Sequence, residues 1–384
     1  MPTPEATSDH LHLLIPELPD LLVGSTAGQL PEALAKLCLR ALPLPTVTQS
    51  LAVMFAANAP LAAFAWQHDR PGTNQCSAAA SWVARADPVH MQADMTRVHL
   101  LQVQDFALQT QQADAMIDSL QPLFEEHGLR LTRACAAAAC ERWYVLSPQA
   151  LPYAMVAPTQ ALGRPLEDSL QLPATPAEHS RPALGQRFWI RLQAEAQMVL
   201  HQHAVNQQRE QSGLPTLNSL WFWGSGRVLP HADAASNAET TPGNEPGGWT
   251  SASVQSPQLA GFCEWQRVAQ INLDTAGALS LPQSGTGRHL LEWRIDRQRS
   301  QSDNWQALAA CLHGMLPYAE TALLSLQAGP DRCLQLLPLA SWRGLLRRAK
   351  ASLPLLQKPS APEAFLQQML WLADMDQYPL DRRA

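Results

Sequence analysis

The chain has 384 residues, 46% of them apolar, with 27 Lys and Arg against 33 Asp and Glu for a net charge of −6. That length buries a core for one large or two medium domains, and an acidic balance without a Lys/Arg cluster leaves no electrostatic footprint for nucleic acid. The seven cysteines are scattered and contain no C-x-x-C pair, which excludes the usual zinc and disulfide frameworks and reads as reduced, mostly buried thiols. No Lys or Arg precedes Lys36, so no secretory signal is expected. The longest apolar run, Leu51 to Trp66, is broken by Asn58 and Pro60 and is short of the roughly 20 residues a membrane span needs. A soluble, cytoplasmic protein with no membrane partner is expected.

His10 to Ile15 (HLHLLI) alternates and then meets Pro16, as a first strand would. Pro31 opens a helical pattern, PEALAKLCLRAL. Ser50 to Phe55 reads as a helix and Leu61 to Trp66 as a buried strand. From Ser81 the texture changes: alternation through SWVARADPVHMQAD leads to a strand from Arg97 to Val103. A helix follows, ALQTQQADAMIDSLQPLFEEHG, with Asp105 or Thr110 as cap and Gly128 as stop. Arg130 to Thr132 and Arg142 to Leu146 (RWYVL) complete a β-α-β-like unit, and a proline-rich linker runs from Pro148 to Pro182. These boundaries predict an α/β main domain over 1–85 and 151–384, with a small α+β domain inserted at 86–150.

The richest stretch is 187–230. Phe188, Leu192, Ala196, Val199 and His203/Ala204 keep the helical period. Gly213 and Pro215 end that helix. Leu217 to Trp223 is apolar on both faces, like a central strand of an open sheet, and it ends at Gly224-Ser225-Gly226, where a ligand site is expected. Beyond it, 231–257 reads as a flexible surface loop. Leu259 to Val268 follows as a helix, His289 to Ile295 as a strand, Trp305 to Leu326 as an amphipathic helix and Cys333 to Leu339 as a strand. Arg343, Arg347, Arg348 and Lys350 read as a solvated basic helix face.

Several side chains in this pattern suit ligand contact. His201 and His203 point about 200° apart on a helix and cannot share an ion, which leaves His203 a structural or ligand-contacting role. Asn206 and Arg209 lie one turn apart and suit an anion or carboxylate. Trp221 and Trp223 share one strand face, with Asn218 on the other, and lead into Gly224 and Gly226, whose N–H groups suit an anion nest. Asp87 and His90, with Asp94 and Arg97, form a second polar knot, in which Asp87 either accepts a turn or helix-start bond or faces the main-body site across an interdomain cleft. The phosphate-loop, nucleophile-elbow and zinc-helix motifs are absent from the sequence.

HAVNQQREQSGLPTLNSLWFWGSGRVLP, at 203–230, resembles the H-P-V-N…R…G…A-N…W-x-W-G-x-G…P segment of archaeal-type, cofactor-independent phosphoglycerate mutases, with Ala204 in place of the proline. The closer resemblance is to bacterial RpfE-type regulatory proteins, through DPVHMQAD at 87–94, RWY at 142–144 and NSLWFWGSG at 218–226. It covers most of the chain in order. It implies an alkaline-phosphatase-like sheet with helices on both faces, 86–150 as the substrate-gripping domain, and Gln29-Leu30-Pro31 opening a matched helix. It also implies ligand contacts at His203, Asn206, Arg209, Asn218, Trp221, Trp223, Gly224, Gly226, Asp87 and His90. In the mutases two divalent metals hold phosphate beside a serine carrier. Here Pro16-Glu17-Leu18-Pro19-Asp20 stands where Asp-Gly-x-x-Asp is expected, and the one histidine after Ile295 is His313. Glu17 and Asp20 are the only nearby substitutes. The expectation is a non-catalytic, metal-free relative with a regulatory or metabolite-binding role, its ligand a small phosphorylated or carboxylated metabolite. The alternative is an active mutase or related phosphotransferase using Mn or Mg. A pure interaction protein, contacting partners through 231–257, is a third possibility.

Overall fold

A computed structural model describes residues 10–22, 42–45, 60–70, 80–95, 97–151, 155–161, 166, 182–228, 249–265, 268–271, 287–315, 318, 323–327 and 332–336. The chain divides into two compact units: one comprises 1–55, 239–256 and 267–384, the other 56–238 and 257–266.

The first unit is built on a seven-stranded sheet. β1 (His10–Leu14) lies at its middle, parallel to β10 (Arg288–Glu292) on one side and to β11 (Leu323–Gln327) on the other. β8 (Ser251–Ser253) and β9 (Ala269–Gln270) extend the parallel part, while β12 (Arg332–Leu336) and β2 (Leu42–Pro45) close the opposite edge antiparallel. Leu11, Leu13, Leu291, Leu324 and Leu326 fill one face of this sheet and are fully buried, as the alternation of HLHLLI requires. α1 (Leu18–Leu22) follows β1 directly. Helix α8 (Gln301–Met315) buries Trp305, Leu308, Leu312 and Met315 at helical spacing. Ser300 starts that helix by accepting the Asp303 N–H at 3.1 Å.

The second unit is organised on an antiparallel sheet of five strands. Its longest member, β3 (Trp82–Ala93), pairs first with β6 (Trp143–Ser147) and then with β4 (Val98–Gln102), while β7 (Ser219–Arg227) runs along its other edge. β5 (Arg130–Arg133) pairs with the far side of β6. One face is covered by α3 (Thr110–Glu125) and α5 (Pro182–His201), whose Phe124 and Trp189 close on Phe222, the latter pair stacked at 4.6 Å. The other face carries α2 (Leu61–Asp69), packed on Val83, Tyr144 and Leu146 through Ala62, Ala63, Ala65 and Trp66. α7 (Pro257–Trp265) lies against α2 with Phe262 edge-on to Phe64, at a separation of 5.5 Å. The short helix α4 (Pro158–Ala161) precedes α5, and α6 (Ala204–Gln211) follows it.

Three expectations change here. Leu61–Asp69 is a helix rather than a strand: it is buried on nearly every side, so its apolar residues show no helical stripe to read. Residues 305–326 are not one helix, since α8 ends at Met315 and Leu323–Gln327 is a central strand. Ser251–Ser253, within the expected flexible loop, adds a parallel strand to β10, its small side chains fitting beside His289 and Leu290. The boundary expected at 85/86 falls in the middle of β3. The helices expected from Pro31 and Ser50, most of 148–182 and 231–248, and the basic patch at 343–350 lie outside the described residues. Among the described residues no helix is long and apolar enough to cross a membrane.

Candidate functional site

The stretch 187–230 holds its own turns together. α5 ends at His201, and His203 caps α6 by accepting the Val205 N–H on Nδ1 at 3.2 Å. Ala204, where the resemblance expects proline, is the first residue of α6, the helical position at which proline is favoured. Asn206 is buried; its amide donates to Leu200 O and Leu217 O (2.8 and 2.9 Å) and accepts from Leu217 N. Arg209 is buried too, donating to Pro215 O at 2.7 Å and Phe106 O at 2.9 Å, and burial lowers its pKa. Gly213, at φ +67, ends the helix in the left-handed conformation that the sequence required.

Asn218 and His90 do the same at the start of β7. Asn218 brackets Met91 from N–H and C=O, at 2.8 and 2.7 Å, while His90 Nδ1 donates to Thr216 O at 2.8 Å. Trp221 donates its indole N–H to Val156 O. The hydrogen bonds formed by Asn206, Arg209, Asn218, His90 and Trp221 thus tie the protein to its own main chain.

The glycine turn corrects the sequence reading most. Gly224-Ser225-Gly226 does not leave a parallel strand; it lies inside β7, in the antiparallel sheet. Gly226 faces Pro60 so closely that a Cβ there would stand 2.2 Å from Pro60 Cβ. Gly224, at φ +64, faces the Ala62 nitrogen, which a Cβ at that position would meet at 3.0 Å. The glycines let α2 approach the sheet, so this strip carries a helix where an anion nest was expected.

Asp87 and Trp223 belong to a buried charge network on the same face. Trp223 donates to Asp87 Oδ2 at 2.7 Å, and Arg85 donates to Asp87 Oδ1 from Nε and Nη2 at 2.9 and 2.5 Å. Arg85 lies over the rings of Tyr144 and Trp223. Tyr144 donates at 2.5 Å to Asp69, which Arg142 grips with two bonds of 2.7 Å. Burial pushes the Tyr144 phenol well above its ordinary range. For Arg85 burial works against the charge, and Asp87 and Tyr144 outweigh it, so its pKa is raised. Two carboxylates thus balance two guanidinium groups. Arg85 and Asp87, two apart on the otherwise apolar first part of β3, from Trp82 to Val89, gave a same-face signal that sequence reasoning passed over.

In the first unit, the carboxyl end of the parallel strands is where open α/β sheets take ligands. Leaving β1, Glu17 forms an ion pair with Arg294 and accepts the Ile295 N–H at 3.0 Å. Beside it, Glu292 closes β10, buried, with Oε2 accepting the N–H groups of Gln255 and Ser256, both at 2.7 Å. Asp20 faces Arg297 at 3.8 Å, and burial lifts its carboxyl above the ordinary value against that arginine's pull. Behind this edge, His12 and His10 share a sheet face with Glu292 by strand register. Burial pushes His12 down to about 3 and His10 to about 4, so both are neutral near pH 7. His10 Nε2 meets Ser325 Oγ at 2.7 Å.

Two divalent cations would need several free carboxylate and imidazole ligands. Among the described residues no group of three or more His, Cys, Asp or Glu side chains is placed to hold a metal ion. Glu17 is engaged by a guanidinium, and His313 is exposed on α8. The described donor set does not fit a two-metal centre.

No family model and no curated protein matches the chain. Among solved structures it is similar to a cofactor-independent phosphoglycerate mutase from Thermoplasma acidophilum DSM 1728, 14% identical over 96% of this chain and 100% of that one, with a TM-score of 0.39. It is also similar to the PH0037 protein of Pyrococcus horikoshii, 10% identical over 86% of this chain and 88% of that one, with a TM-score of 0.40.

Proposed function

We propose that this chain is a cytoplasmic, phosphoglycerate-mutase-like scaffold of the RpfE regulatory type, which binds a small phosphorylated or carboxylated metabolite without turning it over. The sequence resemblance at 203–230 supports the kinship. The observation that carries the loss of chemistry is Glu17: in the segment where the mutases have Asp-Gly-x-x-Asp, its carboxylate is satisfied by Arg294 and the Ile295 N–H. A guanidinium is a permanent cation, and with it in place Glu17 is already neutralised.

A second reading, an active enzyme with a rearranged Mn or Mg site, draws on Glu292, whose Oε1 is buried without a hydrogen-bond partner among the described residues. The two separate in one set of measurements. Purified protein is analysed for metal by mass spectrometry and assayed for mutase turnover with added Mn²⁺ and Mg²⁺. In parallel, phosphoglycerates and related metabolites are screened by thermal shift, since a ligand of the folded state raises the melting temperature. The proposal expects sub-stoichiometric metal, no turnover, and a saturable shift with at least one metabolite. Stoichiometric metal together with turnover that Glu17→Gln or Asp20→Asn abolishes would overturn it.

A further inference from the structure

The donors that hold Glu17 have the composition of an oxyanion seat. One guanidinium nitrogen of Arg294 and the backbone N–H of the next residue converge on the two oxygens of one carboxylate, the arrangement by which proteins take carboxylate and phosphate groups. The seat is mostly shielded from water: the Glu17 side chain keeps 12% of its exposure and that of Arg294 29%. A second pair of donors, the Gln255 and Ser256 N–H groups, fills the same role for Glu292 at the same edge. Burial works against the Arg294 charge, and the hydrogen bond and charge of Glu17, with Glu292 adding, more than restore it. This guanidinium therefore requires an anion, and the chain supplies one from the first residues after β1.

We infer that Arg294 and the Ile295 N–H form a site for an external oxyanion, phosphate or carboxylate, and that Glu17 occupies it in the resting chain and must swing out for the ligand to enter. This deepens the metabolite-binding reading and rests on it. It moves the anion contact from the 203–226 segment to the carboxyl edge of the parallel sheet. An internal occupant competes at high effective concentration, so the wild-type chain binds its ligand more weakly than a variant whose seat is empty.

The test uses the full chain as wild type, Glu17→Ala, and Glu17→Ala combined with Arg294→Gln. Each is melted in sodium chloride, inorganic phosphate and acetate at matched ionic strength, and phosphate binding is followed by ³¹P NMR line broadening. Glu17→Ala is expected to melt below wild type in chloride and to recover saturably in an oxyanion, with tighter phosphate or acetate binding than wild type. The double variant is expected to lose the recovery. Phosphate-only recovery assigns a phosphate ligand, and acetate recovery a carboxylate one. Recovery equal in chloride, or persisting without Arg294, overturns the site. If Glu17→Ala does not fold, Glu17→Gln serves in the same comparison, keeping the shape and removing the charge. A negative seat with a positive metabolite screen on wild type places the ligand elsewhere and leaves the proposed function standing; a silent wild-type screen with a responsive Glu17→Ala does the reverse.

Discussion

Replacing Gly226 by alanine isolates what the glycine strip is for. The new Cβ would lie 2.2 Å from Pro60 Cβ and 3.0 Å from Pro60 Cα. Carbon atoms in contact prefer about 3.5–4.0 Å, so the start of α2 must retreat by about 1.5 Å. Pro60 is the residue before that helix and carries the carbonyl that accepts Ala63 N–H at 2.9 Å, so it cannot rotate away as a flexible side chain would. Overpacking of this kind costs about 1–3 kcal/mol, and a clash with rigid backbone belongs at the upper end. For a unit of this size, about 2–3 kcal/mol lowers the melting temperature by roughly 4–12 °C. The assay is a thermal melt by circular dichroism alongside Gly213→Ala, where φ is +67 but nothing lies within 4 Å; that variant carries only the conformational penalty of about 1 kcal/mol. If Gly226→Ala melts within a degree of wild type and loses a ligand response, the strip is a binding loop after all and the packing argument fails.

Three further outcomes follow from ionisable side chains. Asp69→Asn removes the negative charge facing Arg142 and leaves one carbonyl oxygen where two carboxylate oxygens served Arg142 and Tyr144; with Asp69 almost fully buried and Arg142 partly open, the loss is about 3 kcal/mol by urea unfolding, and less than about 1 kcal/mol would refute the network. His12 has its pKa depressed to about 3, so below about 6.5 the unfolded chain binds the proton that the folded chain refuses. Stability is then lost as pH falls, by about 2 kcal/mol at pH 5, and His12→Leu should flatten that slope; an unchanged slope would count against a buried neutral imidazole. His68 runs the other way. The hydrogen bond that His68 Nδ1 donates to Glu264 at 2.6 Å raises its pKa; burial opposes it, the charges of Glu264 and Asp69 help, and Arg142 counters them. Its contribution is full below about 6.5 and fades as pH rises through the folded pKa. Hydrogen exchange in α7 should accordingly quicken, relative to Glu264→Gln, between pH 6 and pH 8.5.

Local signals made much of the architecture legible. HLHLLI alternates because one face of β1 meets leucines and the other a polar row, and Gly128 and Gly213 both take the positive φ that ends a helix. What the sequence hid was reciprocal burial and distance. The Leu61–Asp69 helix is sandwiched between a sheet and α7, where Gly261 comes so near that a Cβ would stand 1.7 Å from Phe64 O, so no polar face marks its period. Ser251–Ser253 looks like loop because small hydroxyl residues seldom announce a strand; its neighbour His289 supplies the bond that Ser251 needs, at 2.7 Å. The candidate site is half visible. Asn206, Arg209 and Asn218 stand out by residue type, yet their partners are carbonyls and amides that no side-chain pattern reveals. Glu17 stands out too, but Arg294 lies 277 positions away, beyond any local spacing rule.

The pairing of β3 sets a limit on how this protein can vary. Its twelve residues serve as a common rail for three partners, and the register slips twice: between Val83 and Arg85 against β7, and between His90 and Met91, where β4 is joined. Side chains alternate along a rail of this kind, so a one-residue insertion within the regular run from Arg85 to Val89 would turn Asp87 away from Arg85 and an apolar neighbour into the charge network. One inserted at either slip meets backbone already out of step and enlarges an existing irregularity. Length changes in this strand should therefore survive at its two irregularities and not in the regular run between them.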